Sequence, residues 1–300
     1  MLPTVQTLIL TGLALLGSGY VILGILSLTP RFQTFTREAW PILMTETLIV
    51  GIVAAAVWIG GVILFVAILA LVFRCVWEAS KVASVAHPKA TFSPVPIAGT
   101  ATLAALVASF LPIGALGILC ILGFFGVLYL GYFSTLKPEA NASLLLDIAV
   151  FPGLPLIVFA AAGLQGGFEA WLLVAYIFVE TFDSYALAAG KLFGRTKAFP
   201  TLSPRKTIEG LVFGAIALML TAALGALIFD LPILASMAVA LLAGILTITG
   251  DLAASGLKRR SGVKDFPAVL PQHGGLLDIT DAWIATGAGL ATLAALTGLV

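Results

Sequence analysis

Between Gly250 and Asp281 the chain reads GDLAASGLKRRSGVKDFPAVLPQHGGLLDITD. The stretch holds Asp251, Lys258, Arg259, Arg260, Lys264, Asp265, His273, Asp278 and Asp281, with long runs almost free of charge on both sides. Ionisable groups beside lipid-soluble segments are costly to maintain, and mark a working site by default. Asp278 and Asp281 stand at i, i+3, so on a helix both carboxylates face one way. Asp251, Ser255 and Lys258 share a face if one helix runs through all three. His273-Gly274-Gly275 offers backbone that can approach a ligand closely. Carboxylates from separate helices, with few nitrogen ligands, suit a hard cation such as Mg2+ that also binds substrate phosphates. The cations would then balance the remaining phosphate charge. Zinc does not suit the set, because His273 stands alone and no cysteine is near. His273 can be read as a general base, a phosphate donor or a hydrogen bonder at a turn, and a lone histidine is more often structural.

A second polar region precedes this one. Glu180 and Asp183 repeat the i, i+3 spacing near the end of an apolar run, and two such carboxylates repel unless a cation joins them. GKLFGRTKAFPTLSPRKTIEG follows over 190–210, with five cations and the segment Ser203-Pro204-Arg205-Lys206-Thr207 leading into the next apolar run. A basic, hydroxyl-rich loop entering a helix N-terminus offers amides and positive charge to a phosphate. An ordinary basic loop binding anionic headgroups accounts for it equally well. It lacks the GxxxxGK[ST] pattern of a Walker A loop. Glu46 is expected to line a bundle interior, Glu78 and Asp147 to serve packing or topology, and His87 receives no role.

These residues need a scaffold, and composition says what kind. Over 300 residues the chain is 61% hydrophobic and 10% charged, with a mean hydropathy of +1.16. Soluble domains carry roughly 25% charged residues, so an all-α polytopic membrane protein of about nine or ten transmembrane helices is expected. Ten spans can be drawn: 5–29, 41–57, 60–77, 96–112, 114–134, 143–163, 169–188, 209–229, 232–250 and 277–299. Alternating ten-residue segments of a β-barrel are absent from the sequence. We read one membrane domain over 1–300, with N-terminal helices in 1–165 and catalytic helices and loops in 166–300. All fifteen Lys and Arg then fall in the loops of one face, which the positive-inside bias assigns to the cytoplasm with both termini outside. The net charge of +1 argues against nucleic acid or another bulk polyanion as partner. Cys75 and Cys120 read as buried free thiols. The first run, long and without a basic leader, reads as a membrane helix rather than a cleaved signal.

Taken together, Ser255, Lys258, Arg259, Lys264, Asp265, Pro271, His273, Gly274, Gly275, Asp278 and Asp281 form S-x-x-K-R-x4-K-D…P-x-H-G-G-x-x-D-x-x-D. This resembles the signature of the phosphatidate cytidylyltransferases, or CDP-diacylglycerol synthases. Asp183-Ser184 with Ala186, Gly190-Lys191-Leu192-Phe193-Gly194, and Ser203-Pro204 with Lys206-Thr207 and Glu209-Gly210 resemble further family segments. The resemblance covers residues 180–285 well, and the N-terminal half by hydropathy and the Trp77-Glu78 pair. Ile279 stands where the family has arginine, Ala254 where it has glutamate, and Tyr185 where it commonly has glycine. One cation and one carboxylate are thus lost together, which points to altered substrate contacts.

The resemblance implies cytidylyl transfer from CTP to phosphatidic acid or a similar lipid phosphate, giving CDP-diacylglycerol and pyrophosphate. It implies Asp251, Asp278, Asp281 and Asp183 as ligands for Mg2+, with room for a second cation. Lys206, Lys258, Arg259 and Lys264 would hold phosphates. Ser203, Thr207, Ser255, Gly274, Gly275 and His273 would donate or orient hydrogen bonds. It further implies a homodimer among membrane lipids, in the cytoplasmic membrane with the site facing the cytoplasm. Two rivals stay open: a CTP-dependent kinase or cytidylyltransferase for another lipid, and a transporter. Transporters tend to site their charges at the midplane with repeat symmetry, whereas these charges gather at one face.

Overall fold

The computed structural model describes residues 3–132, 140–269 and 274–299, with the side chains of 127–132, 140 and 141 excepted. Lys137, Pro271 and His273 therefore lie outside the described residues. The fold is all-α and polytopic, with one small hairpin of strands. Each of the ten expected spans falls on helical structure. Eight helical segments are long and apolar enough to cross a membrane, and two shorter apolar helices, Pro94–Ala108 and Ile113–Gly126, accompany them among the described residues.

The chain divides into two compact units, Met1–Phe65 and Val66–Val300. In the first, α1 (Val5–Ser27) and α2 (Gln33–Ile59) are joined through the short turn Pro30–Phe32. Their polar side chains pair with each other rather than with lipid: Tyr20 Oη lies 2.6 Å from Thr47 Oγ1, and Trp40 Nε1 donates to Ser27 Oγ at 3.2 Å.

The second unit carries all the candidate chemistry. Its helices are α3 (Gly61–Ala86, most of which belongs here), α4 (Pro94–Ala108), α5 (Ile113–Tyr132), α6 (Ala140–Ile148), α7 (Leu154–Leu164), α8 (Glu169–Phe193), α9 (Ile208–Ile228), α10 (Ile233–Arg260) and α11 (Leu276–Thr297). Between α6 and α7 a π turn, Ala149–Gly153, breaks the span where Phe151 turns extended before Pro152. Proline has no amide to continue the ladder, which accounts for the kink. In lipid the helices gain little from apolar burial against one another, so close packing of small residues decides their contacts. Ala160, Ala161 and Ala162 of α7 and Ala291 and Ala294 of α11 are accordingly fully buried. α11 is the most buried of the eight spans. Trp283 anchors it, donating Nε1 to the Leu172 carbonyl at 2.8 Å and meeting the rings of Phe159 and Tyr176 edge-on at 4.9 and 5.1 Å. Phe182, Leu218, Ala222 and Ala240 tie α8, α9 and α10 together.

The region 190–210, expected as a loop, instead contains an antiparallel hairpin of β1 (Lys197–Phe199) and β2 (Ser203–Thr207). Pro200 and Pro204 disfavour helix on either side of the turn, which leaves the chain extended. Thr207 ends β2 and caps α9, its hydroxyl accepting from the Gly210 amide at 3.2 Å. Glu209 reaches back to the amides of Arg195 and Thr196, both at 3.1 Å, so the hairpin is fixed at its base. Thr207→Ala should lower unfolding stability by about 1 kcal/mol. Chemical denaturation in detergent reads this directly, and an unchanged midpoint would remove the cap from the account.

Candidate active site

Four elements bring the sequence-predicted groups to one place. α10 does not end at Gly250 but continues to Arg260, so Asp251, Ser255 and Lys258 do share one helix. α11 approaches closely at that level: a Cβ on Gly250 would lie 2.7 Å from the Asp281 carbonyl oxygen. Only a glycine lets the two helices meet so tightly. The approach brings Asp251 of α10 within electrostatic range of Asp281 of α11. Asp183 of α8 completes the arrangement through Lys206 of β2. The Lys206 ammonium lies 2.7 Å from Asp251 Oδ2 and 3.9 Å from Asp183 Oδ1. The shorter contact is a close ion pair.

Two carboxylates from two helices thus reach one ammonium, and Asp281 of a third helix acts on it through its charge. Burial alone would lower the Lys206 pKa, but the charges of Asp183, Asp251 and Asp281 outweigh it and hold the value above the ordinary 10.5. Asp281 is 5% exposed, and its Oδ1 accepts from the Ala282 amide at 2.6 Å. Such a cluster is tolerable in a low-dielectric setting because a cation sits among its members.

Asp278 is engaged differently. Its Oδ1 accepts from Lys258 Nζ at 2.5 Å, and its Oδ2 accepts from the amides of Phe266 and Gly275 at 2.8 and 2.9 Å. Lys258, itself buried, also lies 5.1 Å from the centre of the Phe266 ring. Asp278 therefore closes the first turn of its own helix and clamps the preceding loop. Gly274 belongs to the same closure, with a backbone φ of +76° that favours glycine.

The remaining expected residues take stations around these two pairs. Arg259 donates to the carbonyls of Leu202 and Val263 at 3.3 and 3.2 Å, binding the hairpin turn to the end of α10. Ser203 opens β2, Ser255 is buried on α10, and Lys264 is exposed. Thr207 is occupied as the helix cap described above. His273 lies outside the described residues. Ala254 is fully buried, so a glutamate there would be a further buried charge that this chain lacks.

Sequence reasoning passed over two groups. Glu78, expected as a packing or topology feature, is fully buried on α3 and accepts from the Leu276 and Leu277 amides at 3.0 and 2.8 Å. Its signal was present: an ionisable residue inside an apolar helix, four positions after Arg74, asks for a functional explanation. His87 and Asp147 also pair, at 2.9 Å, and Asp147 accepts from Arg260 at 2.6 Å. This ties the ends of α3, α6 and α10 together.

Known proteins resemble this chain in the same terms. It is 40% identical over 134 residues to the uncharacterized protein YnbB of Escherichia coli K12, the match covering 44% of each chain. It is 38% identical over 116 residues to the phosphatidate cytidylyltransferase of Staphylococcus haemolyticus, covering 38% of this chain and 45% of the relative. A Synechocystis phosphatidate cytidylyltransferase is 37% identical over 116 residues, covering 38% and 39%. Each match spans less than half of the relative's length. The family model described as the cytidylyltransferase family matches residues 42–297. A match across that much of the sequence, reaching from α2 to the end of α11, makes this chain a member of the cytidylyltransferase family.

Proposed function

We propose that the protein transfers the cytidylyl group of CTP to a lipid phosphate, phosphatidic acid being the acceptor named in its relatives, with release of pyrophosphate. One observation carries this reading above the others. Asp183 and Asp251 reach the Lys206 ammonium from two helices, within electrostatic range of Asp281, and the buried Lys258–Asp278 pair lies on the same two helices as Asp251 and Asp281. This is a site for polyanions and their counter-ions, in a chain of membrane helices.

Magnesium fits the donor set. It keeps several waters and shares substrate phosphates, so one or two protein carboxylates suffice and a closed cage is not needed. Among the described residues no cluster of three His, Cys, Asp or Glu forms such a cage. The position of the Lys206 ammonium supports a cation among these carboxylates. Asp251 and Asp281 would hold the metal, with Asp183 adjoining and space for a second cation. Asp278, spent on Lys258 and two amides, would keep both in position. Bound there, the ion would draw charge from the triphosphate and ease departure of pyrophosphate.

The chain's own residues account for the rest by positioning and charge. Lys206 and the exposed Lys264 would meet the triphosphate, and Lys258 and Arg259 would hold the edges of the phosphate site. A lipid phosphate oxygen would attack the α-phosphorus in line. One oxygen–phosphorus bond forms as the bond to pyrophosphate breaks. A phosphate monoester is already largely ionised near neutral pH, so a strong general base is not required. The basic loops support a site on the cytoplasmic face of the cytoplasmic membrane, where CTP is found.

Substrate choice is tested by giving purified protein in detergent Mg2+, CTP and, separately, phosphatidic acid or a polyprenyl phosphate. A CDP-lipid formed with phosphatidic acid is expected. A product with the isoprenoid phosphate instead would reassign the acceptor, and no product from either by folded protein would refute the proposal.

A further inference from the structure

An α-helix begins with amides that have no partner inside the helix, and in lipid they must find one. At the start of α11 two of them are satisfied from far away in the chain. Glu78 Oε1 accepts from Leu276 and Glu78 Oε2 from Leu277, and Arg74 Nε donates to Oε1 at 2.6 Å. Arg74 also donates to the Pro267 carbonyl at 3.1 Å, so the same pair of side chains holds the loop that precedes α11. A negative group at this end is favoured by the helix dipole as well.

Gly275 gives independent support. A Cβ there would lie 2.4 Å from Glu78 Oε2 and 2.7 Å from the Phe266 Cβ. Neither contact is sterically possible, so the glycine leaves room for the carboxylate to reach the helix. Gly274 does the same for the other carboxylate, its Cβ position lying 2.4 Å from Asp278 Oδ2. The two glycines and the two carboxylates form a single grip on the first turn of α11.

Asp278 and Asp281 follow that turn directly. We propose that Glu78, oriented by Arg74, is a positioning residue for the reaction. It fixes where α11 begins, and thereby the depth and rotation at which α11 presents Asp278 to Lys258 and Asp281 to the site. The kinetic consequence rests on the cytidylyl-transfer reading; the structural consequence does not. Shifts of about 1 Å in a catalytic group can cost about a hundredfold in rate. The loss should fall on kcat, because Lys206 and Lys264, the groups assigned to the triphosphate, lie on elements other than α11.

The test uses Glu78→Ala and Glu78→Gln in the full chain. Glutamine keeps one acceptor but turns an amide group toward a backbone donor, so it should show a smaller version of the same defect. Hydrogen exchange of the segment opening α11 should rise about tenfold or more, with exchange in the middle of α11 unchanged. With CTP and phosphatidic acid, kcat should fall about a hundredfold for alanine and about tenfold for glutamine, with KM for CTP within about threefold. Unchanged exchange at Leu276 and Leu277 would overturn the proposal, as would a loss confined to KM. Faster exchange along the whole of α11 would make Glu78 a general packing residue and overturn it too. If the alanine variant does not fold, glutamine decides by the same measures. If wild-type protein makes no product, the functional reading fails, and exchange still judges the grip.

Discussion

Replacing Asp281 with asparagine is expected to lower kcat about a thousandfold while leaving the protein as stable as before, or more so. The two halves of that expectation have the same origin. Asp281 is buried and lies within electrostatic range of Asp251 and of the Lys206 ammonium. Asparagine matches its size and keeps an oxygen to accept from the Ala282 amide. What it removes is one carboxylate from a place where Asp281 and Asp251 repel each other. Folding then loses a repulsion, whereas a reaction that gathers a triphosphate and its cation loses a ligand. Thermal unfolding and turnover on the same preparation decide the matter. Activity within tenfold of wild type would remove Asp281 from the metal site. Lost activity with a large fall in unfolding temperature would make its role structural.

Lys206→Met gives the second large effect, with the opposite sign for stability. Methionine retains much of the aliphatic length but leaves Asp183 and Asp251 without their cation. Removing one partner of a buried pair costs about 3–5 kcal/mol, and the partial exposure of these side chains brings the expectation nearer to 2 kcal/mol. Turnover should fall about a hundredfold or more, because the same ammonium is assigned to the triphosphate. Added Mg2+ should restore much of the lost stability, since a divalent ion can take over the balancing of the carboxylates. Restoration of stability without activity separates the two tasks of Lys206. A variant that remains as stable as wild type without Mg2+ would show that the carboxylates do not depend on this lysine.

The membrane helices were readable because an apolar run of about 20 residues has few other uses. The clustering of charge between Gly250 and Asp281 was equally open, since it is visible as composition. Local spacing also told the truth about α10: Asp251, Ser255 and Lys258 lie on one continuous helix. Spacing could not say how equivalent residues divide their work. Asp278 and Asp281 look alike at i, i+3, yet one turns back to its own helix terminus and Lys258 while the other lies within electrostatic range of Asp251. That difference depends on the turn at Gly274 and Gly275. The hairpin escaped notice because its three- and five-residue strands are too short to show a pattern. Glu78 escaped for another reason. Its partners lie some two hundred positions away, at Leu276 and Leu277. Only the fold brings α3 to the start of α11.

Whether this site moves a cytidylyl group is read from the fate of the phosphorus atoms of CTP. Wild-type protein is supplied with Mg2+, phosphatidic acid and CTP labelled at either the α- or the γ-phosphorus. The α-label should enter the lipid fraction as a CDP-lipid, and the γ-label should appear in pyrophosphate. Transfer of the γ-label to lipid, with CDP left behind, would contradict cytidylyl transfer and make the protein a kinase.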